Sequence, residues 1–124
     1  MSYVLLIEDN PDNADIVMRV LGAAGYTVRH FLRGLDGVRA AQKDKPVLIL
    51  MDFNLPDVDG RTLALVMKRQ LGGDKAPPII AVTARTGAYE EMMAERFGCA
   101  AFVSKPFEPQ ELLALIDKLM TPQA

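Results

Sequence analysis

Apolar residues along this chain fall into two alternating patterns. Short runs occur at Tyr3–Ile7, Thr27–Phe31, Val47–Met51, Ile79–Val82 and Ala101–Val103. Three of them, Val4-Leu5-Leu6-Ile7, Val47-Leu48-Ile49-Leu50-Met51 and Ile79-Ile80-Ala81-Val82, are apolar without alternation. A strand wetted on one face alternates apolar with polar residues. Unbroken runs predict strands buried on both faces, as in a parallel sheet covered by helices.

Between the runs lie segments of helical spacing. The first opens at Asn10-Pro11, an N-cap followed by proline at the first helical position, carries Ile16, Val17, Val20, Leu21 and Ala24, and stops at Gly25. The second covers Leu35–Lys43. The third covers Arg61–Leu71, with Leu63, Val66 and Met67 on one face and Gly72-Gly73 ending it. The fourth runs from Ala88 to Phe97 and ends at Gly98, with Tyr89, Met92, Met93 and Phe97 expected on its buried side. The fifth starts at Glu108-Pro109 and buries Leu112, Leu113, Ile116 and Leu119. Five strand-then-helix units predict an α/β domain with helices on both faces of the sheet.

Composition narrows the class. A length of 124 residues, 50% hydrophobic and 24% charged, suits one domain with a core of its own over residues 1–124. The formal net charge of −2 gives no electrostatic reason to expect nucleic acid or an anionic membrane as partner. A single cysteine, Cys99, excludes an intrachain disulfide. The start lacks the basic residues and cleavage site of a secretory signal, and no apolar run has the length of a membrane span. The expected location is cytoplasmic.

In such sheets ligands bind beyond the carboxyl ends of the strands. The first strand ends in Glu8-Asp9, the third in Asp52, the fourth in Thr83 and the fifth in Ser104-Lys105-Pro106. Several carboxylates brought together disfavour their own charge unless a cation sits among them. Oxygen donors with no His or Cys nearby favour a hard divalent ion, and a set this small suits Mg2+ better than Ca2+. The backbone carbonyl of Asn54, two residues after Asp52, is a further candidate ligand. A carboxylate is also a nucleophile toward phosphorus. Phosphoryl transfer asks the protein chiefly for positioning and charge neutralisation, roles open to Lys105 as a mobile point charge and to Thr83 as a hydroxyl donor. Each residue alone has an ordinary structural reading. The set of four strand ends is far more specific.

These residues resemble the receiver domains of bacterial response regulators over essentially the whole chain. The matching pieces are Val4–Asn10, Leu50–Gly60, Pro78–Ala84 and Phe102–Phe107. The resemblance implies a flavodoxin-like fold with strand order 2-1-3-4-5. It implies that Glu8 and Asp9 are the metal pair, with the Asn54 carbonyl on the same Mg2+, and that Asp52 is the phospho-acceptor. It makes Thr83 and Lys105 the residues that sense the phosphoryl group, Phe102 a ring that switches with Thr83, and Lys105-Pro106 a cis bond. The expected donor is a phosphohistidine of a histidine kinase or a histidine phosphotransfer protein. The expected output is contact with a downstream protein through the fourth helix, fifth strand and fifth helix, with no direct nucleic-acid or membrane contact and no output domain in this chain. Such a domain is a signalling switch that catalyses only its own phosphorylation and dephosphorylation.

Two other classes fit less well. A phosphatase or phosphotransferase with an aspartyl intermediate needs a further general acid or a cap, and Asn54 stands where a carboxylate is wanted. A flavin carrier needs a phosphate loop after the first strand, where Glu8-Asp9-Asn10-Pro11 is acidic. His30 reads as a surface residue and Cys99 as a small packed one.

Overall fold

Residues 2–84 and 87–120 are described in the computed structural model. The chain alternates strand and helix as β1 (Val4–Ile7), α1 (Pro11–Ala23), β2 (Val28–Phe31), α2 (Gly34–Lys43), β3 (Leu48–Asp52), α3 (Gly60–Gln70), β4 (Ile79–Thr83), α4 (Ala88–Arg96), β5 (Ala101–Ser104) and α5 (Pro109–Met120). A 3-10 turn at Gly73–Lys75, absent from the sequence reading, follows α3. The five strands form one parallel sheet in the order β2-β1-β3-β4-β5. The segment Thr121–Ala124 lies outside the described residues.

The unbroken apolar runs serve two cores. Tyr3, Leu5, Ile7, Ile49, Met51, Ile79 and Ala81 point to one face, where they meet Leu63, Ala64 and Met67 of α3 and Ala94 of α4. Val4, Leu6, Leu48, Leu50 and Ile80 point to the other, against Val17 and Leu21 of α1 and Leu112 and Ile116 of α5. Two-residue alternation sends neighbours to opposite faces, so a strand covered on both has no place for a polar residue until it ends.

Helix faces depart from expectation in three places. On α3 the inner arc is Gly60, Leu63, Ala64 and Met67, and Val66 is exposed. On α1 it is Ala14, Val17 and Leu21, leaving Ile16 and Ala24 outside. On α4 the buried residue is Ala94; Met93 and Phe97 are half-buried, while Tyr89 is 60% and Met92 45% exposed. Each inner arc includes a small residue, Gly60 and Ala64 on α3, Ala14 on α1 and Ala94 on α4, at which the helix can lie close to its neighbours.

Glycine matters most at Gly60. A Cβ there would stand 2.5 Å from the Phe53 Cα and 2.7 Å from the Asp52 carbonyl oxygen. Both are backbone atoms of the segment that carries Asp52, so α3 approaches that segment as closely as it does only because position 60 lacks a side chain. Gly22, on the outer side of α1, has no atom within 4 Å of such a Cβ. Gly60→Ala is therefore expected to destabilise the domain by roughly 1–3 kcal/mol through overpacking. Gly22→Ala is expected to stabilise it by about 0.5 kcal/mol through helix propensity. Urea denaturation of the two variants beside the parent checks both signs.

Candidate functional site

The strand register assembles the site. Ile7 pairs with Met51, which puts Glu8 and Asp52 beside one another one step later. Their parity is that of Leu6 and Leu50, so their side chains continue the face packed by α1 and α5. Both are buried, as is Thr83 at the end of β4. Thr83 pairs with Ser104, and its carbonyl accepts the Lys105 N–H at 2.7 Å, which fixes where the lysine leaves the sheet.

Lys105 lies between the two buried carboxylates. Its Nζ stands 2.8 Å from Asp52 Oδ2 and 2.8 Å from Glu8 Oε1. The other Asp52 oxygen, Oδ1, accepts the Asn54 N–H at 2.9 Å. Glu8 Oε2 accepts the Asn10 N–H at 3.4 Å. Asp9 is exposed, yet one oxygen each from Glu8, Asp9 and Asp52 lie within 4.8 Å of one another. Among the described residues this is the one group of three or more carboxylate, imidazole or thiol side chains so arranged. The donor set is all oxygen, with one lysine against three acids. Those properties fit a hard divalent cation such as Mg2+.

The electrostatics follow from crowding. Burial pushes the Glu8 carboxyl up from its ordinary value of 4.5 to about 7, the neighbouring Asp52 adds to the shift, and Lys105 opposes it. Burial works against the Lys105 ammonium as well, but its hydrogen bonds to Asp52 and Glu8 outweigh that and raise its pKa.

Flanking turns hold the site in place. The Asn10 side chain caps α1 by accepting from the N–H groups of Asp12 and Asn13 at 2.9 and 3.2 Å, as the Asn-Pro signal predicts. The loop after Asp52 is tied down from a distance. Asp57 accepts the N–H groups of Gly34 and Leu35 at 2.9 and 3.0 Å, capping α2, whose own N-cap residue Arg33 makes no side-chain cap. The Lys105-Pro106 bond is cis. Phe102 is half-buried against the α3 and α4 core, beside Cys99. Burial raises the Cys99 thiol to about 12, in keeping with a packed residue. His30 is half-buried rather than free at the surface, its ring 2.8 Å from the Glu8 carbonyl. The roles of Asp57 and His30 were not read from the sequence. Both bridge residues more than twenty positions apart, and no local pattern marks them.

The family model of the response regulator receiver domain matches residues 4–117. The chain belongs to that family. It is 32% identical over 117 residues to the transcriptional regulatory protein CreB of Escherichia coli, covering 94% of this chain and 50% of CreB. It is equally identical, over 93% of its length, to the hybrid signal transduction histidine kinase G of Dictyostelium discoideum, of which the match is 3%. This receiver domain thus spans about half the length, or far less, of these curated relatives. The chemotaxis protein CheY4 of Vibrio cholerae superposes with a TM-score of 0.88 at 26% identity, covering 97% of this chain and 99% of that one. The receiver domain of the sensor histidine kinase PA1611 of Pseudomonas aeruginosa, solved with a magnesium ion coordinated in its active-site cleft, superposes at 0.84 with 31% identity, covering 95% and 96%. As a receiver domain the protein is a signalling switch with an acidic cluster suited to phospho-acceptance. Among the described residues, no helix is long and apolar enough to cross a membrane.

The Glu8 shift sets a pH dependence. A carboxyl that holds its proton more tightly when folded favours the folded state below its unfolded pKa and loses that advantage as pH rises through the folded one. Without metal, stability is expected to fall as pH rises from about 4.5 to about 7, and Glu8→Gln is expected to flatten that slope. Added Mg2+ is expected to restore more stability at pH 8 than at pH 5.5. Urea midpoints across this range, with and without Mg2+, provide the measurement.

Proposed function

We propose that Asp52 accepts a phosphoryl group from the phosphohistidine of a histidine kinase or histidine phosphotransfer protein, with Glu8, Asp9, Asp52 and the Asn54 carbonyl holding Mg2+. The observation that carries this reading is the buried Asp52 carboxylate, gripped on one oxygen by Lys105 and set among the Glu8 and Asp9 oxygens. In the transfer, a bond forms between an Asp52 carboxylate oxygen and phosphorus as the bond from phosphorus to the donor imidazole nitrogen breaks. The imidazole leaves with the electron pair and takes up a proton. When bound, Mg2+ supplies positive charge against the phosphoryl oxygens. The Asn54 N–H holds Asp52 from turning away. Lys105, released from its carboxylate partner, follows the new charge onto a phosphoryl oxygen. Thr83 donates its hydroxyl to another.

The same two residues carry the signal outward. Thr83 ends β4 ahead of α4, and Lys105 begins the connection from β5 toward α5. Between these elements runs a groove lined by Glu91, Ala94, Cys99, Phe102 and Leu115. Inward movement of the Phe102 ring, coupled to Thr83, reshapes this groove, and a few kcal/mol of differential binding suffices to shift a two-state surface. The exposed Tyr89 and Met92 on α4 supply apolar contacts for a protein target.

On incubation with Mg2+ and acetyl phosphate, the protein is expected to gain the mass of one phosphoryl group as a base-labile acyl phosphate, and Asp52→Asn to gain none. Mass spectrometry decides, and label mapping to His30 instead would refute the assignment. Lys105→Ala is expected to be phosphorylated still, though more slowly, and to lose the amide shifts that phosphorylation brings to α4 and β5. A phosphorylated Lys105→Ala spectrum that matches the phosphorylated parent would contradict the switch role.

A further inference from the structure

His30 has no part in the chemistry above. It is the one histidine of the chain and lies on β2, the edge strand of the sheet. The register pairs Leu6 with His30 and Ile7 with Phe31, and the Glu8 N–H donates to the Phe31 carbonyl at 3.0 Å. In a parallel ladder a residue that donates to one position of its neighbour accepts from the position two further on. For Glu8 that position is Arg33. By then β2 has ended, and Arg33 is the N-cap residue of α2. The rung that would satisfy the Glu8 carbonyl therefore falls beyond the strand. The His30 ring stands in for it, with Nε2 2.8 Å from the Glu8 oxygen. A carbonyl only accepts, so Nε2 carries the proton, and in the neutral ring Nδ1 keeps its lone pair.

We propose that His30 is a positioning residue for the metal-binding edge: its Nε2–H holds the Glu8 peptide and so sets the directions in which Glu8 and Asp9 present their carboxylates. This rests on the Mg2+ reading above. The Glu8 carbonyl belongs to the peptide that joins the two acids, so the plane of that peptide fixes the last torsion of Glu8 and the first of Asp9. Asp9 is exposed, and packing does not aim it. Its direction is inherited from the backbone, and the imidazole is the side chain that pins that backbone. Hydrogen bonds of this kind behind metal ligands typically change affinity by 10–100-fold when removed.

The test uses the full chain and MgCl2 alone, comparing the parent with His30→Gln and His30→Leu by amide shifts. Gln retains an N–H donor of similar reach and is expected to keep the parent affinity. Leu fills the space without a donor and is expected to lose roughly 10-fold in affinity, with the metal-free amides of Asp9 and Asn10 displaced. A Leu variant that binds Mg2+ as tightly as the parent overturns the proposal, whatever its urea midpoint. A ring nitrogen spectrum of the metal-free parent is independent of how any variant folds. The Nε2–H tautomer supports the bond, and an Nδ1–H tautomer overturns it. A parent that takes up no Mg2+ overturns the metal reading itself, a failure told apart because it appears before any substitution is made.

Discussion

Two carboxylates buried side by side, with one ammonium between them, are the constraint on which this molecule turns. Glu8 and Asp52 are neighbours because β1 and β3 are neighbours in register, and both have left water. An uncompensated pair of that kind would be strongly unfavourable. Lys105 makes it tolerable, and it can do so only if β5 delivers it to the same edge. That delivery depends on the Thr83 carbonyl and on the pairing of β4 with β5. The sheet order is thus also the wiring of a charge cluster. What remains is an excess of negative charge, one lysine against three acids, which suits the edge to a small cation.

Much of this was legible in the sequence, for physical reasons. Strands buried on both faces exclude polar residues until they end, so the first polar residues after each run mark the sheet edge. Reading Glu8-Asp9, Asp52, Thr83 and Lys105 at those ends located the cluster without any knowledge of distance. At β3, β4 and β5 the apolar runs stop one residue before the strands do, and the strand ends read at Asp52, Thr83 and Ser104 are members of the sheet.

Helix orientation was less legible. Periodicity establishes that a helix has an inner face, but the phase comes from what it packs against. Val66 and Met67 are adjacent and equally apolar, yet Ala64 and Gly60 decide between them because small residues allow the closest approach. On α4 a single alanine is buried while Tyr89 and Met92 face outward, a distribution that hydrophobicity alone assigns the wrong way round. Asp57 and His30 were invisible for a different reason. Each satisfies a backbone group left over where another element stops, and such vacancies exist only once the chain has folded.

The Asp57 clamp joins the start of α2 to the loop that follows Asp52, where Gly34 already lies against Leu55, Val58 and Leu63. The first turn of α2 has no cap of its own and borrows one from the loop that follows Asp52. The amide protons of Gly34 and Leu35 are held in hydrogen bonds by a side chain of that loop. Any rearrangement that lifts the loop frays the beginning of α2 in the same motion. Deuterium uptake at these two amides then becomes a gauge of the loop that follows Asp52, readable without a probe at the site itself.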